Sequence, residues 1–135
     1  MDSVCAELPG ADRLIGFLGA WPSFLDSEVL SITLSRIGKS TLRIHTFEST
    51  GQVGAGGYFC LNKHVIVTFV FEGVTDCELA GFNHQNVVNG IAISNQFQSY
   101  ELTLNGIFGL TGRICSKSIE IEFEVGKPAE SQYRE

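Results

Sequence analysis

The chain is short of positive charge and of unbroken apolar runs, and each shortage removes a class of function. Nine Lys and Arg stand against fifteen Asp and Glu, a formal net charge of −6. Nucleic-acid binding needs a basic footprint to neutralise phosphates, so no nucleic-acid partner is expected. Arg, Lys, Glu or Asn interrupts every apolar stretch before it reaches membrane-spanning length, so no membrane helix is expected either. The opening residues 1–7 are acidic and carry neither a basic lead nor a long apolar segment, which predicts no secretory leader and a cytoplasmic protein. The four cysteines, Cys5, Cys60, Cys77 and Cys115, are too widely spaced for a Cys-x-x-Cys or zinc-knuckle pattern. They are expected to be reduced thiols, with Cys77 and Cys115 serving as small core residues.

Catalytic signatures are equally scarce. His45, His64 and His84 form no H-x-x-x-H or H-E-x-x-H pattern, no G-x-S-x-G elbow occurs, and no cysteine sits in a nucleophile motif. Gly54-Ala-Gly-Gly57 lacks the lysine of a phosphate loop. A non-enzymatic protein without cofactor or metal is therefore expected. A pair between His84 and Asp26 or Glu28 stays open, because sequence separation says nothing about distance in the fold.

What the chain does have is β-rich patterning. In residues 65–72 seven of eight side chains are β-branched or aromatic, and both parities are apolar: Val65, Val67, Phe69 and Phe71 on one side, Ile66 and Val70 on the other. That pattern predicts a strand covered on both faces, closed by Gly73. Before it, Leu30, Ile32 and Leu34 alternate with Ser and Thr. A turn at residues 38–40 then leads into a return strand over 41–47, with Leu42 and Ile44 inward and Arg43 and His45 outward. Residues 50–57, with four glycines, read as a loop. Further strands are expected near 76–81, 87–94 and 98–104, the last closed by Asn105-Gly106, and over 113–125 as one long bent strand or two short ones. A helix is expected from Ala11 to Gly19, stopped by Trp21-Pro22. Residues 1–10 read as a lead-in and 126–135 as a mobile polar tail.

These elements predict a single, mainly β (α+β) domain. It would be an antiparallel sandwich or strongly curled sheet of about seven or eight strands, with one short N-terminal helix covering an opening.

Three polar clusters are candidate sites. In the segment 21–28, Trp21 and Phe24 plug the end of the core on one reading, while on another Asp26 and Glu28 share a strand face and meet a basic partner. In Phe82-Asn-His-Gln-Asn86, Asn83 and Asn86 suit the turn itself, leaving His84 and Gln85 free to face a ligand or partner. Glu120, Glu122 and Glu124 alternate with Ile119, Ile121, Phe123 and Val125, which puts three carboxylates on one side of the terminal strand. That row either guards an edge against sticking or forms a docking strip for a basic surface.

Four segments carry a family resemblance: Leu14-Ile-Gly-Phe-Leu-Gly-Ala-Trp-Pro-Ser-Phe-Leu-Asp-Ser-Glu-Val29, Leu42-Arg-Ile-His45, Val67-Thr-Phe-Val-Phe-Glu-Gly73 and Leu79-Ala-Gly-Phe-Asn-His-Gln-Asn-Val87. Together they resemble the bacterial immunity protein 50 family, and the likeness covers most of residues 13–125. One departure is Leu25, standing where the family pattern usually has a histidine between the Phe and the Asp. The resemblance implies a bacterial antidote, part of a polymorphic toxin system, that neutralises a cognate toxin protein by binding and occluding it. An acidic, rigid sheet suits a basic toxin. The rival function is a small β-rich ligand-binding or enzymatic domain with a pocket near Trp21, Asp26, Glu28 and His84.

Overall fold

A computed structural model of the chain describes residues 3–53 and 59–133. Two short helices, α1 (Ser3–Glu7) and α2 (Ala11–Leu18), precede six strands. These are β1 (Ser27–Thr33), β2 (Lys39–Val53), β3 (Phe59–Ala80), β4 (Val87–Gln96), β5 (Ser99–Phe108) and β6 (Thr111–Val125). All pairings are antiparallel, and the order β1-β2-β3-β6-β5-β4 closes on itself as a barrel. The mainly β, antiparallel reading holds. Of the two arrangements expected, a sandwich or a strongly curled sheet, the second holds, with the curl carried to closure.

The strand count falls to six because the stretch around Gly73 bends without breaking. Gly73 adopts φ +69°, the register shifts between Val74 and Asp76, and β3 runs on through the bend. A glycine and a bulge re-aim a strand in this way while its ladder continues. Two turns also fall elsewhere than expected. Asn105-Gly106 lies inside β5, where a side chain at Gly106 would meet the Leu110 carbonyl oxygen at 2.4 Å. The tight hairpin turn is Phe97-Gln98, between the paired residues Gln96 and Ser99, with φ +53° and +63°. Two successive positive φ values are what a two-residue hairpin needs to match strand twist.

The barrel interior is apolar. Leu42 and Ile44 of β2 and Val65, Val67, Phe69 and Phe71 of β3 are fully buried, joined by Val88, Ile93, Leu102, Leu104, Ile114 and Ile119. Each such side chain contributes about 1.5–3 kcal/mol relative to exposure. Trp21, Phe24 and Phe69 meet at one end with ring centroids 5.8–6.4 Å apart, so the aromatic pair of the 21–28 segment closes the core.

The helix expected at residues 11–19 is α2, ended by Gly19 in the left-handed region with its N–H on the Ile15 carbonyl. Ala11, Leu14 and Leu18 are buried, and Phe17 lies 6.0 Å from Phe123. The lead-in is partly helical, and it covers the sheet where β6 outruns β5: the Ile121 N–H donates to the Pro9 carbonyl at 2.7 Å. Gly10 permits that approach, since any side chain there would strike the Ile121 carbonyl. Of the loop expected at residues 50–57, residues 50–53 belong instead to β2, which continues to Val53, and 54–57 lie outside the described residues.

Candidate functional site

A one-residue bulge decides where Glu28 points. Ile32 pairs with Leu42 and Val29 with Ile44, so both face the interior, but the register shifts between Val29 and Ser31. Leu30 is the extra residue. Without the shift Glu28 would share the face of Ile32 and enter the core; with it, Glu28 stands directly opposite His45 on the outer face. Asp26 does not share that face, because it lies in the preceding turn at φ +57°.

Glu28 and His45 are nevertheless buried, at 5% and 0% exposure. Glu28 Oε1 lies 2.7 Å from His45 Nδ1, and His45 Nε2 lies 2.8 Å from His64 Nδ1. A carboxylate only accepts, so Nδ1 of His45 donates to Glu28. In neutral His45 the other nitrogen then accepts from His64, giving a donor chain that runs His64 to His45 to Glu28.

The cover over this chain is the C-terminal segment. The Gln132 N–H donates to Glu28 Oε2 at 2.8 Å, and the Gln132 side-chain amide to the His84 carbonyl at 2.6 Å. The Tyr133 hydroxyl donates to the Asp26 carbonyl at 2.5 Å, and its ring packs edge-on against Phe47, 5.4 Å away. Lys127 Nζ reaches the Tyr133 carbonyl, and Arg43 pairs with Glu130 at 3.3 Å. Residues 126–133 lie as a strap across β1 and β2. It is tied there by the main-chain and side-chain groups the outer face offers.

Burial raises the Glu28 pKa, but the bonds from His45, Gln132 and Ser131 outweigh it and hold the carboxyl below its ordinary range. Burial, reinforced by His45 and Lys127 and opposed by Glu28, lowers the His64 pKa and favours the neutral ring. Burial, with Glu28 and Asp26 nearby, pushes the Tyr133 phenol up to about 12. Among the described residues no group of three or more His, Cys, Asp or Glu is placed to hold a metal ion, and no buried side-chain polar atom lacks a partner. The side-chain polar atoms of Glu28 and His45 are all hydrogen-bonded within the fold, while His64 is half-buried at the outer end of the chain.

The other sequence candidates sit apart. His84 and Gln85 are exposed, and His84 joins the strap only through its carbonyl, so it forms no pair with Asp26 or Glu28. The Asn86 side-chain oxygen accepts from the N–H groups of Asn83 at 2.8 Å and Leu110 at 3.2 Å. That of Asn83 accepts from Gln85 at 2.8 Å and Asn86 at 3.2 Å. The two asparagines thus build the turn and fasten it to the start of β6. Phe82 is 60% exposed beside them.

Glu122 and Glu124 are exposed on the outer face of β6, opposite Thr68 and Ile66 of β3, while Glu120, opposite Val70, pairs with Lys39 at 3.3 Å. A second acidic cluster escaped the sequence reading: Asp76 and Glu78 grip Arg113 at 2.8 and 2.7 Å. The Asp-x-Glu spacing put both on one strand face, but only the β3–β6 register puts Glu78 opposite Arg113. Cys77 and Cys115 are free thiols and only partly buried, so neither is a full core residue.

Comparison with protein families matches residues 10–123 to the family described as Immunity protein 50. No curated protein and no solved structure matches the chain.

Proposed function

Because the chain belongs to the immunity protein 50 family, we propose that it acts as a stoichiometric antidote, binding a cognate bacterial toxin domain in the cytoplasm and occluding it. The observation that carries this reading beyond the family is the exposed carboxylate row of β6 on a closed barrel. Glu122 and Glu124 project from a strand paired to β3 along its length, so the negative surface is preorganised. Preorganised charge speeds encounter with a basic partner and penalises wrong ones.

Of the residues first considered for contact, Asp26, His84, Gln85, Glu120, Glu122 and Glu124 remain on the surface or at its margin. Glu28 is withdrawn beneath the strap. It supports the surface without touching a partner while the strap is in place. A catalytic role has no such support, since Glu28 and His45 are buried and their polar atoms are bonded within the fold. Co-expression with the C-terminal toxin domain encoded beside this gene tests the proposal. Restored growth is the expected result, and toxicity undiminished by well-expressed, folded protein contradicts it.

A further inference from the structure

The barrel does not seal evenly. β1 meets β4 only through Ser27↔Val88 and Glu28↔Val87, so residues 31–33 are paired to β2 alone. β2 pairs with β3 only from Lys39↔Glu72 inward, so residues 74–80 of β3 are paired to β6 alone. Between these two half-paired segments lies a pocket of about 360 Å³, lined by Ile32, Leu79, Ala80, Gly81, Phe82 and Leu110. Phe82 on its rim is 60% exposed. Leu34 and Phe108, each two residues from a lining side chain, are 52% and 54% exposed.

An unpaired strand edge beside an apolar pocket has the two parts of strand addition. The edge supplies main-chain hydrogen bonds and the pocket takes alternate side chains. The charge at this edge narrows the occupant. Glu72, Asp76 and Glu78 are exposed, and Arg113 answers only two of them. Carboxylates on an open edge discourage pairing with a second copy of the same acidic chain, while admitting a strand that carries Lys or Arg.

We propose that this seam receives an extended segment of the toxin, with apolar residues alternating with basic ones, which adds as a strand to residues 74–80 of β3 and seats an apolar side chain in the pocket. The proposal rests on the antidote reading and names its contact surface.

The test uses the full chain and the neighbouring toxin domain. Ala80 is exposed and lines the pocket, so Ala80→Trp fills the pocket from outside the core. The expected result is a loss of toxin affinity of at least tenfold with thermal unfolding unchanged. Amide exchange at residues 74–80 is expected to slow at least tenfold in the wild-type complex, which settles the matter even if the variant folds poorly. Wild-type binding with unaltered exchange at these amides overturns the seam proposal and leaves the antidote reading standing. So does full affinity in a folded Ala80→Trp variant. A wild-type homodimer dispersed by Ala80→Trp overturns it in favour of self-pairing. Failure of the wild-type chain to bind the toxin domain overturns both.

Discussion

Beneath the C-terminal strap, Glu28 and His45 lie on the outer face of the sheet yet are buried, and their side-chain polar atoms are partnered inside the fold. At the seam and along β6, carboxylates stand in water beside half-paired strand edges and an apolar pocket. The first region has the residue types of an active site but is closed and satisfied. The second has carboxylates without a histidine beside them, and it is open. Chemistry-bearing side chains become structural once their hydrogen bonds are spent internally, and unspent backbone and surface charge mark the places where a partner can be received.

The strongest way to break this contrast is to disturb the buried chain. His45→Ala leaves the Glu28 carboxylate covered without its main partner and is expected to cost about 3–5 kcal/mol in urea unfolding. A cost below about 1 kcal/mol would show that the carboxylate was solvated after all.

Lowering the pH should act on the same groups. Both Glu28 and His64 have folded pKa values below their ordinary ones, so the unfolded chain binds more protons and stability falls as the pH is lowered. The His64 contribution is present above about pH 6.5 and fades below it, followed by that of Glu28 below about pH 4.5. Thermal unfolding across this range checks the sign, and His64→Phe should flatten the upper limb.

Trp21→Ala tests the aromatic end of the core. Trp21 is half-buried against Phe24 and Phe69, and its loss is expected to cost about 2–3 kcal/mol while toxin binding by the folded fraction persists. Normal unfolding with lost binding would move Trp21 to the contact surface. Ending the chain after Lys127 removes the Gln132 donor and the Tyr133 cover, and should lower stability by about 1–2 kcal/mol. The least stability effect is expected on the open side. Replacing Glu120, Glu122 and Glu124 by Lys should change stability by less than about 1 kcal/mol, because the one ion pair lost, Lys39–Glu120, is exposed. Association with a basic toxin should nonetheless slow at least tenfold at low salt. An unchanged rate would remove the β6 row from the encounter surface.

The sequence carried the core well and the closed chain of polar residues poorly. Alternation in residues 41–47 gave the correct inward side chains, Leu42 and Ile44, and the two-sided apolar run gave β3. Period-two patterning reports a face, and faces are set locally. The pairing of Glu28 with His45 depended on the bulge at Leu30, which no residue there advertises, and one residue of slip would have turned Glu28 inward. The cover came from Gln132, 104 positions from Glu28 and in a stretch without apolar periodicity. Barrel closure rests on only two residue pairs between β1 and β4, too few to leave a pattern in sequence. The Phe97-Gln98 turn lacked the Asn-Gly signature, while the real Asn-Gly served a close approach inside β5.

The central claim, that the barrel neutralises by occupancy and not by chemistry, is tested most directly by titrating active toxin domain with the purified chain. The account predicts inhibition complete at one molecule per toxin, with toxin of unaltered mass and activity recovered once the complex is dissociated. Inactivation of many toxin molecules by one chain, or a toxin returned covalently changed, would contradict it.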